Sequence, residues 1–399
     1  MLDSARKIDS SHPLLPFVLI SAKWLKIQTE EGYDASYKII NEEVDMTTAG
    51  ERLSNIRDAL RALGASQIRP LGLEADRLED LSRAMTQEKL DLQREVVRNE
   101  RRQSYENRPY GMAHWHLQEA LYPMPHPYHW MTIGSQEDLD AANLDDIKDF
   151  FRRFYSPSNG SLAIAGDIDP AKTLELVNRY FGDLPPGPQV QRIGRFDSSL
   201  PGRVELQIRD RVSLPRVYIA WSTPPHFSAD DAPLEMLSAV MADGLSSRLY
   251  RSLVYEKQIA QSVSLRYHAS EIAGQFIVEG TAAANHNIDE VEQAIEAELE
   301  RIRREPPTEE EITRAKNRLE AHHYRQLSRI GGFGGKADTL NHFNVFKGDP
   351  NLINTEISQY MVAQVLGVSI WSLKRYVRCV DSGASSSRAS PSMVNSGSR

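Results

Sequence analysis

Three groups of residues in this 399-residue chain have types and spacing that could do chemistry. The run Arg94-Glu-Val-Val-Arg-Asn-Glu-Arg-Arg102 sets Glu100 among basic and amide neighbours on a helical period, which by residue type alone describes a solvated, salt-bridged helix face. His114, His116, His126 and His129 could ligate a metal, yet none has the i, i+4 spacing that turns two imidazoles of a helix toward one ion. All four adjoin aromatics or prolines, as turn and packing histidines do. Gly331-Gly-Phe-Gly-Gly-Lys336 lies between two helical patterns. A phosphate cradle would need a strand before it and Gly-Lys-Ser/Thr at its end, and here Ala337 follows the lysine. Gly331, Gly332, Gly334 and Gly335 therefore read either as a flexible loop touching substrate or a partner chain, or as a plain interhelical connection.

Composition narrows the classes of function. With 40% hydrophobic and 26% charged residues the chain is of the soluble globular class, and its length suggests two domains. The 47 Lys and Arg against 55 Asp and Glu leave a net charge of −8, with no basic stripe for a phosphate backbone, so no nucleic-acid partner is expected. Cys379 is the one cysteine, which excludes an internal disulfide and a Cys-ligated zinc cluster. The apolar stretch Leu14 to Ala22, broken by Pro16 and Ser21, falls far short of the ~20 residues of a membrane span. No membrane span is expected, and no signal peptide, because Asp3 and Asp9 precede the stretch and Lys23 follows it. The compartment stays open.

The elements that would position these residues follow from the chain's punctuation. Residues 1–70 have weak periodicity, with a helix conceivable only over Ala49 to Leu63. From 71 to 190 the spacing predicts a charged helix from Thr86 to about Glu106, a helix capped by Asn143, a turn at Ser156–Gly160, a strand at Ser161–Gly166 and a helix capped by Asp169 and stopped at Gly182. Pro185-Pro-Gly-Pro188 opens a linker to about Gly202, the expected domain boundary. Residues 200–366 then read strand, strand, helix, strand, strand, helix, helix, with a further helix near Thr355. That order predicts an α+β unit whose sheet is covered on one face. Residues 381–399 hold eight serines and almost nothing apolar, and read as a disordered tail.

Several ordered segments carry a resemblance. They include Leu73-Glu-Ala-Asp-Arg77, Met85-Thr-Gln-Glu-Lys89, the Arg94 to Arg101 run, Asn107-Arg-Pro-Tyr-Gly111, Leu121-Tyr-Pro, His126-Pro-Tyr-His129, Ile133-Gly-Ser and Ala165-Gly-Asp167. Ser246-Ser-Arg-Leu-Tyr250 and Glu256-Lys-Gln258 continue them. From about Leu71 to Val365 the chain resembles the insulinase/pitrilysin family of inverted-motif zinc metallopeptidases, in the bacterial branch related to mitochondrial processing peptidase. The resemblance implies two related α+β units meeting across a cleft, each a mainly antiparallel sheet covered by helices, the first of catalytic type and the second not. It also implies zinc held by a His-x-x-Glu-His helix and a later glutamate, leaving one position for water. Glu100 aligns with that third ligand, and Gln93 stands where a supporting glutamate usually is. The family spacing of roughly 75 to 80 residues before Glu100 lands on Leu19-Ile-Ser-Ala-Lys23, and His-x-x-Glu-His occurs nowhere in the chain. Val254 and Gln261 occupy the places of a substrate-holding Arg and Tyr. The resemblance thus implies a homologue with no catalytic residues of its own and no zinc bound by this chain. Its partners would be a peptide or unfolded polypeptide, or a homologous subunit carrying the motif. Members of this branch are often periplasmic.

Overall fold

The computed structural model describes residues 69–353 apart from 195, 197–199 and 201, together with 376–383 and 392–394. The readings of residues 1–68, including the Ala49 to Leu63 helix, and of a helix near Thr355 lie outside the described residues.

The chain enters through α1 (Arg69–Ala84) and α2 (Gln87–Arg101), the latter begun by Thr86, whose hydroxyl accepts from the Lys89 N–H at 3.3 Å. A wide turn at Arg102–Glu106 leads to α3 (Ala113–Leu121), followed by α4 (Gln136–Ala141). Asn143 and Asp146 close a reciprocal capping box at the start of α5 (Leu144–Phe154), and Asp169 caps α6 (Pro170–Phe181) with Pro170 in its first turn. Local grammar thus sets these starts where the sequence predicts them. The strand expected over Ser161–Gly166 does not form among the described residues. A strand exists only with a ladder partner, and the described part of the first unit offers none.

All described strands form one six-stranded sheet after the linker. They are β1 (Val204–Asp210), β2 (Arg216–Thr223), β3 (Ala260–Ala269), β4 (Gly274–Ala282), β5 (Val377–Gly383) and β6 (Ser392–Val394), in spatial order β3-β4-β2-β5-β1-β6. Only the β1–β5 pair is parallel, so the α+β, mainly antiparallel class holds. Between the strands lie α7 (Asp231–Ala242), α8 (Ile288–Arg304), α9 (Glu309–Leu327) and α10 (Lys336–Lys347).

Two expectations need correction. The stretch 381–399 is not tail throughout, because Asp381 to Gly383 complete β5 and Ser392–Val394 pair with β1. β5 sits between β1 and β2, so residues past 366 belong to the middle of the second unit. Serine-rich composition did not forbid this, since hydrogen bonds to a neighbouring strand do not depend on the side chains. The sheet is also covered on both faces. Alternate residues of β2 and β4, Val217, Ile219, Phe276 and Val278, pack under α7 and α8. The opposite residues, Tyr218, Ala220 and Ile277, with Leu206, Ile208, Val377 and Cys379, pack under Ala113, Leu117, Ala120 and Leu121 of α3. A helix from before the linker therefore supplies the second roof.

Because β5 is interior, a chain ended at residue 375 leaves β1 without the neighbour it pairs with along its length and β2 without its partner over Arg216 to Ala220. Such a chain is expected to show no cooperative urea or thermal transition by circular dichroism. A transition as sharp as that of the full chain would contradict a structural role for residues 377–383.

Candidate functional site

Glu100 lies in the last turn of α2, half-buried, with Val97 buried beside it and Val96 exposed. It forms no ion pair with another described residue. Its negative charge and burial together raise the pKa of the Tyr105 phenol, burial being the larger cause. Among the described residues no three His, Cys, Asp or Glu side chains converge as a metal would require. Glu100 alone therefore does not fit a zinc ion, which takes three protein ligands in a catalytic site.

The basic residues of the same run have structural partners. Arg94 donates from Nε to the Leu139 carbonyl at 3.0 Å and from Nη2 to that of Ala142 at 2.7 Å. Arg98 pairs with Asp140, and Arg101 donates to the Gly134 carbonyl at 2.9 Å while its guanidinium lies 4.6 Å from the Trp115 ring centroid. Three arginines one turn apart thus strap α2 to the 134–142 segment and to α3. The same arginines also pair with Asp91, Glu95 and Glu106, so the face is salt-bridged as its residue types predict, while its half-buried arginines reach across to neighbouring segments as well.

The four clustered histidines do not meet at a point. His126 is buried, stacks on Tyr122 at 4.7 Å and accepts from the Tyr128 N–H at 3.0 Å, and burial lowers its pKa. His129 Nδ1 lies 2.9 Å from the Tyr122 carbonyl oxygen, and His116 lies 3.3 Å from Glu119. These three are turn and packing residues. His114 differs: its Nε2 stands 2.6 Å from Arg266 Nη2 and 3.3 Å from Glu279 Oε1.

That contact belongs to a polar cluster under α3 that sequence spacing could not reveal. Glu279 of β4, nearly buried, meets Arg266 of β3 and His114 of α3, with Arg216 of β2 3.9 Å away. Burial alone would raise the Glu279 pKa, but contacts with His114 and Arg266 outweigh it and hold the carboxylate at about 2. Arg216 donates from Nε to Thr281 Oγ1 at 2.8 Å and lies 3.8 Å from the Tyr110 ring centroid. Tyr110 in turn donates its N–H to Asp210 Oδ2 at 2.8 Å and its hydroxyl to the Leu214 carbonyl at 2.7 Å. At the far end of α3, Tyr122 donates to the Gly274 carbonyl at 2.6 Å. The contributing residues span positions 110 to 281, so no local motif marks the cluster.

The glycine loop joins α9 to α10. Gly332 and Gly334 have left-handed φ of 77° and 68°, where a side chain is strained, and the Gly334 N–H donates to Asp338 Oδ2 at 2.7 Å. Gly331 and Gly332 are exposed, with open space where a side chain would stand. At its end Asn341 Nδ2 lies 3.4 Å from the Ser161 carbonyl, so α10 touches the first unit. Val254, one of the two positions aligned with a substrate-holding pair, packs on the core, and Gln261 is exposed on β3.

Comparison with known proteins places these observations. Residues 141–319 match the model of the Peptidase M16 inactive domain. The zinc protease PqqE of Helicobacter pylori is 28% identical over 233 residues, covering 56% of this chain and 51% of its own length. The mitochondrial-processing peptidase subunit beta of Saccharomyces cerevisiae is 25% identical over 232 residues, 52% and 47% of the two chains. The chain spans about half the length of these curated relatives. The crystal structure of a protease from Helicobacter pylori superposes with a TM-score of 0.67 at 22% identity, covering 77% of each chain, which shows a shared fold.

The Glu279 cluster gives a directional prediction. Its pKa is 4.5 when unfolded and about 2 when folded, so its stabilisation is present above 4.5 and lost as pH falls toward 2. Glu279→Gln is expected to cost about 1–3 kcal/mol at pH 7 and progressively less toward pH 3. Equal melting temperatures for variant and wild type at pH 7 would refute the pairing.

Proposed function

Because the chain belongs to the insulinase/pitrilysin-like M16 peptidase family along the stretch its relatives match, we propose that it is a non-catalytic homologue that holds an extended polypeptide. The observation that carries this reading is Glu100. It stands at the third-ligand position of the resemblance, yet the sequence contains no His-x-x-Glu-His to complete the set, and the arginines of its own run are engaged with carbonyls of the 134–142 segment. A zinc ion in such a site would polarise water for attack on a peptide bond, and among the described residues no three His, Cys, Asp or Glu side chains gather to hold one.

Binding needs none of that chemistry. β3 is an edge strand among the described residues, with Gln261, Ser262, Ser264, Arg266 and His268 exposed along it, and an extended peptide can add to such an edge by main-chain hydrogen bonds. The exposed Gly331 and Gly332 offer backbone that a chain can approach closely. A homologous, motif-bearing subunit is the second reading, favoured by Leu92 and Val96, which are exposed one turn apart on α2 in line with Glu100, and by a relative that is itself named as a subunit.

The full chain incubated with an unstructured peptide is expected to show no chelator-sensitive cleavage and to retain well under one equivalent of zinc after purification. Peptide binding, read by fluorescence anisotropy, should be the same with and without chelator. Turnover that a chelator abolishes would overturn the non-catalytic reading, and undetectable peptide binding would leave only the subunit reading.

A further inference from the structure

Beneath α3 the sheet buries a carboxyl that it does not pair. Asp381 on β5 stands opposite Arg216 of β2 and Ile208 of β1, is 1% exposed, and has no hydrogen-bond donor to either carboxylate oxygen among the described residues. By the two-residue alternation of a strand it shares the α3 side with Cys379 and Val377.

The groups facing it come from each neighbouring element. β1 supplies Asp210, β2 supplies Arg216 and Tyr218, β5 supplies Cys379, and the turn before α3 supplies Tyr110. Arg216 is the cation of this set, yet its Nε bonds Thr281 and its plane stacks on Tyr110. The Tyr218 hydroxyl is itself buried without a hydrogen-bond partner among the described residues. Asp210 adds a second negative charge.

Tyr110 stands near this group and feels the charge of Asp381. Its φ of 60° is left-handed, and at Gly111 a Cβ would stand 2.0 Å from the Tyr105 carbonyl oxygen, so the next position of the turn admits only glycine. Tyr110 is seated there by its bonds to Asp210 and Leu214.

We propose that Asp381 is a proton-controlled clasp: neutral, it allows the Tyr110 turn and α3 to seat on the sheet, and ionised, it loosens that seat. In the seated state burial, then the charge of Asp210, push the carboxyl up to about 7, and Arg216 pulls it down less. In the lifted state water reaches the carboxyl and it returns toward 3.8. The seated state therefore holds the proton over an interval in which the lifted state has lost it. Its advantage is full below 3.8, declines as pH rises, and is gone above about 7. The release reaches Glu100's helix through Trp115, which carries both the Arg101 guanidinium and the edge of Tyr105. This goes beyond peptide holding, because it makes the seam between the two parts of the chain responsive to pH.

Hydrogen exchange on the full chain between pH 5 and pH 8 tests it. Rates for the amides of α3 are divided by those of α8 in the same sample, which cancels the intrinsic effect of pH. The ratio is expected to rise about tenfold per unit between pH 5 and 7, up to about 100-fold, and then level off. Asp381→Asn should abolish the rise. His114→Gln should keep it, which separates Asp381 from the His114 and Glu279 contact. A flat ratio in the wild type, a rise that survives in Asp381→Asn, or a rise lost in His114→Gln would each overturn the proposal. The wild type and His114→Gln suffice if the asparagine variant does not fold.

Discussion

A β-strand whose successive residues are all buried needs a dry layer on each side, and Val217 to Trp221 of β2 are five such residues. α7 and α8 cover one side of the sheet from within the second unit. The other side is dry only because α3, almost a hundred residues earlier, lies on it. The fully buried Leu117, Leu121 and Tyr122 account for much of that contact, at roughly 1.5–3 kcal/mol for each large apolar side chain removed from water. The rest of the architecture is arranged around this docking: the arginines of α2 strap its neighbouring segment, and the interior β5 presents Val377 and Cys379 to it.

Drying a sheet face also buries its charges, and the same surface shows two outcomes. Glu279 finds Arg266 and His114 and stays ionised, its pKa held at about 2. Asp381 finds no donor among the described residues, and its pKa rises to about 7. The difference is one of reach. Arg266 and His114 lie within contact of Glu279, whereas Arg216, directly opposite Asp381, directs its nitrogens toward Thr281 and Glu279. The Arg216 guanidinium is aimed at Thr281, Tyr110 and Glu279, and none of its donors reaches Asp381.

The histidines teach the complementary point. A concentration of imidazoles within a short stretch is a metal signal only if the backbone turns them toward one point. Here the turn at Pro127–His129 and the end of α3 face His126 into an aromatic stack and His129 toward a carbonyl, while His114 crosses to the sheet. An imidazole pair unmarked by spacing is brought together by the tertiary fold: His226, whose Nδ1 lies 2.5 Å from an Asp231 carboxylate oxygen, and His342, whose burial lowers its pKa to about 4, have ring centroids 5.2 Å apart. Packing decided which histidines became neighbours.

Local interactions were legible in the sequence because they act over three or four residues. Thr86, Asn143, Asp169 and Thr308 begin helices by accepting the first free N–H groups, and the strands from Val204, Arg216, Ala260 and Gly274 follow apolar runs bounded by turn residues. The ordered segments from Leu73 to Gln258 likewise carried the family. What the sequence could not contain was anything that depends on one segment meeting another far along the chain. Ser161–Gly166 has strand residues but no ladder partner among the described residues, whereas Asp381 to Gly383 have a serine-rich setting and two partners. The roof of α3, the pairing of Glu279 with His114 and the unpaired Asp381 were decided by the tertiary structure alone, because desolvation and charge pairing are properties of position in space.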